Sequence, residues 1–318
     1  MATINNSCCA ECGEDGGASL KICKACMSVK YCNAMCQRNH WPKHKKECKQ
    51  RAAELRDEAL FTDPPEKEDC PICFLPMPVR ILSCISLPPA TASSVPIHDF
   101  AIANERLARL ATEQYYSCCG KSICVGCIDS FFDSGNIETC PFCNAVLVLP
   151  HDERVEQIMK RVEANDAGAM CQLGCNYYNG NGDLLQDRTK ALELFTKSAE
   201  LGYSEAHGHL GVEYDVRGDL KRAKFHYEAA AMAGHEVARH NLACIESDSG
   251  NMGRAVKHWI IAASAGSYHA MHDLITCFEE GIVTRETIYT TLAAYNNSCA
   301  EMRSEARDNY IRVMAETG

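Results

Sequence analysis

The sequence predicts a multidomain protein in which two small cysteine-rich domains precede an all-α solenoid of helical repeats. Two observations predict this architecture. Of the 22 cysteines, most lie before residue 144, and only five follow. From residue 169 onward, apolar residues, alanines and glycines recur about every 32 residues. A chain of 318 residues has room for two or three such domains.

Composition and charge set the expected environment. The first residues, "MATINNSCCAECGEDGG", have neither the basic start nor the apolar core of a signal peptide, and no apolar run approaches the roughly 18 residues of a membrane span. We therefore expect an intracellular protein of the cytoplasm or nucleus, where clustered cysteines are more often metal ligands than disulfides. The formal charge of -10 argues against general nucleic-acid affinity.

The first cluster, in a domain predicted over residues 1–51, contains eight metal-ligand candidates in four pairs. The pairs are Cys9/Cys12, Cys23/Cys26, Cys32/Cys36 and His44/Cys48. A C-x-x-C turn aims two thiolates at one ion, and a spacing of four places two side chains on one face of a helix. Eight ligands predict two zinc ions, which replace an apolar core that this segment lacks. Pro42 is expected in the first turn of a second helix.

Residues 9–48 resemble the MYND zinc finger, including its "YC…CQ…W..HK..C" ending. The resemblance implies an interleaved pairing, in which Cys9, Cys12, Cys32 and Cys36 bind one ion and Cys23, Cys26, His44 and Cys48 bind the other. It also implies that the finger docks short proline-containing peptides.

The end of this finger is basic, and two interpretations apply. The basic residues are Arg38, Lys43, Lys45, Lys46, Lys49 and Arg51. They either contact nucleic acid or form a solvated helix face that offsets the thiolate charge. Since Trp41 is the only aromatic residue for stacking among them, we favour the solvated face, and nucleic-acid regulation is a remote alternative.

A second cysteine-rich domain is predicted over residues 69–150, after a helical linker at 52–68. Its pairs Cys70/Cys73, Cys124/Cys127 and Cys140/Cys143, with "SCCGKSIC" between the first two, resemble a RING domain. The resemblance implies one zinc site of Cys70, Cys73, Cys124 and Cys127. A second site would use Cys119, Cys140, Cys143 and the position of Lys121, whose protonated amine cannot ligate. Cys118 completes it more readily than Cys84, because closing a shorter loop costs less entropy. The domain holds one zinc ion if the second site is absent and two otherwise.

A RING domain binds a ubiquitin-conjugating enzyme and carries no nucleophile of its own. The resemblance implies a docking surface of Ile72, Pro141 and Phe142 together with Ile128, Phe131 and Phe132. Active members often carry a basic residue after the last ligand, where this chain has Asn144. A ubiquitin-protein ligase and a non-catalytic scaffold therefore both stay open. The insertion 85–115 is expected to form a loop followed by a short helix over "IANERLARLATEQ".

The repeats occupy residues 169–297, after a connecting helix at 151–168. Three sets of residues mark the period: Leu173, Leu210, Leu242 and Leu274; Ala191, Ala223 and Ala255; Gly202, Gly234 and Gly266. Each unit reads as two helices ending at a glycine, which predicts a solenoid whose units bury their faces on one another. The units resemble Sel-one-like repeats, relatives of tetratricopeptide repeats. Ser298 and Glu301 form a capping-box pattern that predicts a terminal helix over residues 298–318.

The solenoid shows no set of nucleophile, base and acid, and we predict no catalytic residue. Histidines between 207 and 272 are expected to be exposed or to line a groove, and Cys171, Cys175, Cys244, Cys277 and Cys299 are expected to fill the core. All three modules are typical of recognition. The sequence thus predicts a zinc-binding intracellular adaptor for protein partners.

Overall fold

The computed structural model describes residues 8–15, 19–77, 113–135, 138–147, 151–181 and 184–317. The chain divides into two compact units, residues 1–62 and residues 63–318. Cys84 and nearly all of the insertion 85–115 lie outside the described residues. No helix in the described part of the chain is both long and apolar enough to cross a membrane.

The first unit contains a two-stranded hairpin and one long helix. Strands β1 (Lys21–Ile22) and β2 (Lys30–Tyr31) pair antiparallel, and helix α1 spans Ala34–Leu60. Its buried apolar cluster consists of one tyrosine and cysteines, namely Cys9, Cys23, Cys26, Tyr31 and Cys48. So few apolar side chains cannot hold a fold of this size together, which agrees with the expectation that metal replaces a core.

The expectation that a second helix begins at Pro42 is wrong. Helix α1 runs through Pro42 without a break, because its start lies at Asn33, whose side-chain Oδ1 accepts from the N–H groups of Met35 and Cys36 at 2.9 Å each. The consequence is that Cys36, His44 and Cys48 project from one continuous helix.

The second unit begins with the RING-like module, by which we mean the described residues 69–77, 113–135 and 138–147. Strands β3 (Glu113–Tyr116) and β4 (Lys121–Cys124) pair antiparallel and lead into helix α2 (Val125–Asp133). Glu113 and Gln114, assigned from sequence to the end of a helix, therefore belong to a strand. Ile123 is fully buried at the centre of the module, between the cysteine clusters.

Ten helices follow, and eight of them form the four predicted repeats. Their bounds are α3 His151–Glu163, α4 Ala167–Asn179, α5 Arg188–Glu200, α6 Ser204–Val216, α7 Leu220–Met232, α8 Glu236–Asp248, α9 Met252–Ser264, α10 Tyr268–Glu279, α11 Arg285–Glu301 and α12 Glu305–Thr317. The helices pair as α4/α5, α6/α7, α8/α9 and α10/α11. This confirms the all-α solenoid.

The periodic residues carry the roles that the repeat predicts. The marker leucines and alanines are buried, and Gly202, Gly234 and Gly266 end the second helices with positive φ angles of 86°, 87° and 94°. Gly211 serves a different purpose. A Cβ there would lie 2.4 Å from the ring of Tyr227, so a hydrogen at this position lets α7 pack closely on α6.

The predicted start of the terminal helix at Ser298 is wrong. Helix α11 continues through Ser298 to Glu301, and α12 begins at Glu305. The capping residue is Ser304, whose hydroxyl accepts from the N–H of Arg307 at 3.2 Å. A capping box inside an already formed helix has no free N–H groups to satisfy, so the pattern alone was misleading.

The RING-like module and the segment just before it contact the solenoid at three places. Tyr115 of β3 donates to Asp166, the N-cap residue of α4. Lys67, just before the module, donates to the carbonyl of Ala265 and pairs with Glu236, both at 2.8 Å. Helix α12 packs on α2. These contacts fix the module against both ends of the repeat array.

Candidate metal centres

Four groups of four ligand atoms converge in the described part of the chain. The groups are Cys9, Cys12, Cys32 and Cys36; Cys23, Cys26, His44 and Cys48; Cys70, Cys73, Cys124 and Cys127; and Cys118, Cys119, Cys140 and Cys143. Within each group the ligand atoms all lie within 4.8 Å of one another. The structure therefore brings together every residue that the sequence proposed as a metal ligand, in interleaved pairs.

The same backbone turn builds one side of each group. In the turns that start at Cys9, Cys23, Cys70 and Cys140, the N–H four residues later donates to the carbonyl of that cysteine at 2.8–3.0 Å. That later residue has a positive φ: Gly13 73°, Met27 54°, Phe74 55° and Asn144 55°. The repeated turn explains why C-x-x-C spacing matters, since it directs both sulfur atoms to one point. Asn144 therefore has a conformational role, because asparagine tolerates the left-handed region.

Helices supply most of the other ligands. Cys36, His44 and Cys48 lie on α1, and Cys124 is the N-cap residue of α2, with Cys127 in its first turn. Cys118 and Cys119 lie in the tight turn between β3 and β4. The ligands at i and i+4 on α1 share a face, so helix geometry alone brings His44 and Cys48 together.

The distances between ligand atoms fit tetrahedral zinc. Zn–S bonds of about 2.3 Å and Zn–N bonds of about 2.0 Å place tetrahedral sulfur atoms about 3.8 Å apart and a sulfur and a nitrogen about 3.5 Å apart. The Sγ–Sγ distances are 3.7 Å for Cys12–Cys32 and Cys23–Cys48, 3.9 Å for Cys73–Cys124 and 3.8 Å for Cys119–Cys140. The distance between Cys32 and Cys36 is shorter, at 3.4 Å. Cys26 Sγ lies 3.2 Å from His44 Nε2. Thiolate and imidazole donors at these spacings suit Zn²⁺.

Electrostatics within the groups also favours a cation. N–H groups of the turn, foremost that of Cys12, lower the pKa of Cys9 to about 6. Burial would raise the pKa of Cys70, but the N–H groups of Cys124, Cys73 and Ile72 lower it to about 7. Burial and neighbouring thiols raise the pKa of Cys48 to about 12. Four thiols so close together cannot all ionise unless a divalent cation is bound, and a coordinated thiol is deprotonated outright.

His44 has the chemistry of a neutral ligand. Burial lowers its pKa, so the imidazole is uncharged near neutral pH. The ring stacks on His40 at 5.5 Å between centroids, which helps to hold its orientation, and Nε2 points toward Cys26. His40 in turn bonds the hydroxyl of Tyr31 at 2.9 Å.

Comparison with protein families agrees with this geometry. The model of the MYND finger family matches residues 9–48, and the Sel1 repeat model matches residues 167–203, 204–235 and 238–267. The chain contains a MYND finger and Sel1 repeats. The resemblances inferred from sequence for these two regions are thereby confirmed, and together the modules support a zinc-binding adaptor for protein interactions.

Solved structures of bacterial proteins match just over half of this chain. A Sel1 repeat protein from Oxalobacter formigenes is 21% identical, with a TM-score of 0.43, over 57% of this chain and 73% of that chain. A protective antigen of uropathogenic Escherichia coli displaying an SLR fold is 18% identical, with a TM-score of 0.39, over 60% of this chain and 44% of its own. An immunity protein from Pseudomonas aeruginosa is 18% identical over 53% of this chain and 80% of its own, with a TM-score of 0.29.

Lys121 stands where the RING pattern has a ligand, and the structure gives it another contact. Its Nζ lies 4.4 Å from the centroid of the Phe142 ring, in a cation–π arrangement. Cys118 instead approaches Cys119, Cys140 and Cys143. Cys118 can take the ligand position of Lys121 because it lies next to Cys119 in the turn.

The residues expected to dock a conjugating enzyme differ in exposure. Ile72 is 37% exposed, whereas Pro141 and Phe142 are half-buried. Ile128 is buried in the core of the RING-like module, so the expectation that it contributes to a docking surface is wrong. It packs in one buried cluster with Ile123 and Cys127.

The basic end of the MYND finger carries acidic partners. Arg51 pairs with Glu54 and Glu58 at 3.0 Å each, and Lys43 lies 4.0 Å from Glu11. These exposed pairs are weak individually. They nevertheless reduce the positive potential that nucleic-acid binding needs, in line with the solvated-face interpretation.

The structure corrects the expectation for the repeat histidines. His209, His235 and His258 are buried, not exposed or groove-lining. His209 also joins Cys171 and Cys175 in a buried group, with Nε2 3.5 Å from Cys175 Sγ. The four-residue spacing of these two cysteines, the same as in Cys32/Cys36, was the signal that sequence reasoning passed over. This group offers three ligand atoms, whereas each of the four groups above offers four, and we assign no metal to it.

Proposed function

We propose that this protein is a zinc-dependent adaptor that captures proline-containing peptides with its MYND finger and other protein partners with its Sel1 repeats. The observation that carries the proposal is that the finger's metal-ligand residues and its exposed apolar side chains are separate sets. Its cysteines and His44 are drawn into two ligand groups, while three large apolar side chains stay exposed: Met27 at 53%, Met35 at 65% and Trp41 at 42%. Exposed apolar and aromatic side chains on a rigid support suit proline-rich segments, which bind with little entropy loss.

Peptide binding to the full-length zinc-loaded protein tests this proposal. We expect a panel of proline-containing peptides to yield binders whose affinity falls at least about tenfold in Trp41→Ala, as for a central aromatic anchor. Tyr289→Ala is the control, since Tyr289 is 62% exposed on a repeat helix. Peptide affinity that is unchanged in Trp41→Ala, and is also unchanged when zinc is removed from the wild type, would overturn the proposal.

We further propose one zinc ion in each of the four ligand groups. The convergence of four ligand atoms and the common backbone turn support an ion in each group. Native mass spectrometry of the protein should find four ions. A count of three ions would mean that one group is empty. We would then assign the empty site to Cys118, Cys119, Cys140 and Cys143, whose pairing departs from the RING pattern.

Ubiquitin transfer is the second candidate function. It is supported by the interleaving of two complete ligand groups in the RING-like module and by the exposed Ile72. An in vitro assay with a panel of conjugating enzymes should show ubiquitin chains that depend on Cys124. If the protein is silent with every enzyme, or if Cys124→Ala equals the wild type, the module serves as a scaffold only.

A further inference from the structure

Arg307 of helix α12 reaches across to the thiolates of the RING-like module. Its Nε donates to Cys124 Sγ at 3.3 Å, and one terminal nitrogen donates to Cys73 Sγ at 3.5 Å. The other terminal nitrogen donates to the carbonyls of Pro76 and Met302. The side chain is only 6% exposed. A buried guanidinium whose three nitrogens each donate to a sulfur or carbonyl acceptor is a built contact, because an unpaired buried charge would be costly.

Gly126 allows this approach. A Cβ on Gly126 would lie 2.6 Å from the Cα and 2.7 Å from the N of Arg307. These are backbone atoms, which cannot swing aside as a flexible side chain can. Helix α2 therefore meets α12 at a contact that only glycine permits, directly beside Cys124 and Cys127.

The charge of the ligand group explains what the contact contributes. A divalent ion with four thiolates carries a net charge of minus two, and this group is largely buried. The guanidinium stays protonated at all ordinary pH values and forms hydrogen bonds with thiolate sulfur. It reduces the excess negative charge and fixes the directions of two ligands. Groups that bond to metal ligands in this way commonly change metal affinity about 10- to 100-fold.

We propose that Arg307 is a positioning residue for a zinc ion held by Cys70, Cys73, Cys124 and Cys127, so that this ion and the docking of helix α12 stabilise each other. The RING-like module thereby uses one face of α2 to bind the end of this chain's own solenoid. The proposal goes beyond the adaptor function and does not depend on peptide binding or ubiquitin transfer.

Site-resolved alkylation of the full-length zinc-loaded protein tests the first half of the proposal. Excess chelator and N-ethylmaleimide are added together, and mass spectrometry follows each cysteine. In Arg307→Gln we expect Cys73 and Cys124 to be alkylated about 10- to 100-fold faster than in the wild type. Cys32 and Cys36 of the MYND finger should keep their rates. Arg312→Gln is the control, since Arg312 is exposed on the same helix.

Hydrogen exchange tests the second half and guards against a simple folding defect. Gly126→Ala keeps Arg307 and all four cysteine ligands in the sequence but prevents the close approach of α12. Gly253→Ala, where a Cβ meets nothing within 4 Å, is its control. We expect Gly126→Ala to speed both exchange in residues 305–317 and alkylation of Cys73, with the far-UV circular dichroism unchanged. Alkylation rates within twofold of the controls in both variants would overturn the proposal. So would exchange in α12 of the wild type that is indifferent to zinc removal.

Discussion

The phenol of Tyr115 donates to Asp166 Oδ2 at 2.9 Å and joins strand β3 of the RING-like module to the N-cap of helix α4. Arg161 completes the arrangement with a hydrogen bond from Nε to the same carboxylate oxygen at 2.8 Å. Asp166 also accepts from the N–H of Ala169 at 3.0 Å. One carboxylate thus satisfies a helix end, a guanidinium and a phenol from another module.

Removing the hydroxyl of Tyr115 should weaken this junction. In Tyr115→Phe we expect the free energy of unfolding to fall by about 1.5–3 kcal/mol, the range for a hydrogen bond to a charged partner. Chemical denaturation followed by circular dichroism measures the change. Tyr289→Phe, at an exposed position on α11, should be neutral. Equal free energies of unfolding in the two variants would show that the hydrogen bond between Tyr115 and Asp166 does not stabilise the protein.

Metal removal should unfold the MYND finger and leave the Sel1 repeats folded. The finger's buried apolar cluster is four cysteines and Tyr31, whereas each repeat buries leucine, alanine and aromatic side chains. After treatment with chelator we expect the amide NMR signals of residues 8–60 to collapse, while most helical circular dichroism persists. Restored signals on adding zinc provide the control. Dispersed finger signals in the metal-free protein would contradict the role assigned to the cysteines.

Two residues with positive φ should respond in opposite ways to reciprocal substitutions. Phe74 and Asn144 occupy equivalent positions in their turns, both with φ of 55°. A bulky residue pays about 1–2 kcal/mol in this region, and asparagine pays less. Phe74→Asn should therefore stabilise the RING-like module, and Asn144→Phe should destabilise it. Thermal unfolding of the zinc-loaded protein measures both, and shifts of the same sign would refute the strain argument.

Gly211→Ala should lower the stability of the solenoid. The added methyl would meet the ring of Tyr227 at 2.4 Å, and overpacking of this kind costs about 1–3 kcal/mol. At Gly253, which also lies in a helix but faces open space, the same change should be neutral or stabilising by up to about 1 kcal/mol. Urea denaturation curves compare the two variants.

The ion pair of His240 and Asp273 should make stability depend on pH. Burial alone would lower the pKa of His240, but the hydrogen bond to Asp273 at 2.8 Å and the nearby Cys244 raise it to about 10. Since the folded pKa exceeds the unfolded value of about 6.5, the stabilisation is complete below pH 6.5 and is lost as the pH rises through 10.

Comparison of the wild type with His240→Gln isolates this effect. The difference in melting temperature between the two proteins should be largest near pH 6 and should shrink toward pH 10. A difference that is constant between these pH values would mean that the pKa of His240 is the same in the folded and the unfolded protein.

The features that the sequence predicts correctly are those set by residues close together in the chain. The C-x-x-C turns, the i and i+4 ligands on α1 and the repeat of about 32 residues all follow from short spacings. The predictions are wrong where a contact elsewhere in the chain determines where a helix begins or which side chain is buried. Ser298 lies inside a helix because Ser304 provides the cap, and Pro42 lies inside α1 because Asn33 fixes the start. His209 is buried beside Phe195, with ring centroids 4.8 Å apart, a contact between two helices that no local pattern reveals.

The contact between Arg307 and the cysteines could not have been predicted, since 183 residues separate it from Cys124 and 234 from Cys73. That separation has a consequence for biosynthesis. Arg307 leaves the ribosome only after all four repeats have been translated, so the cysteines of the RING-like module wait for their cationic neighbour until nearly the whole polypeptide has been made. A ribosome that stalls within the repeats would release a product whose cysteine group lacks this contact.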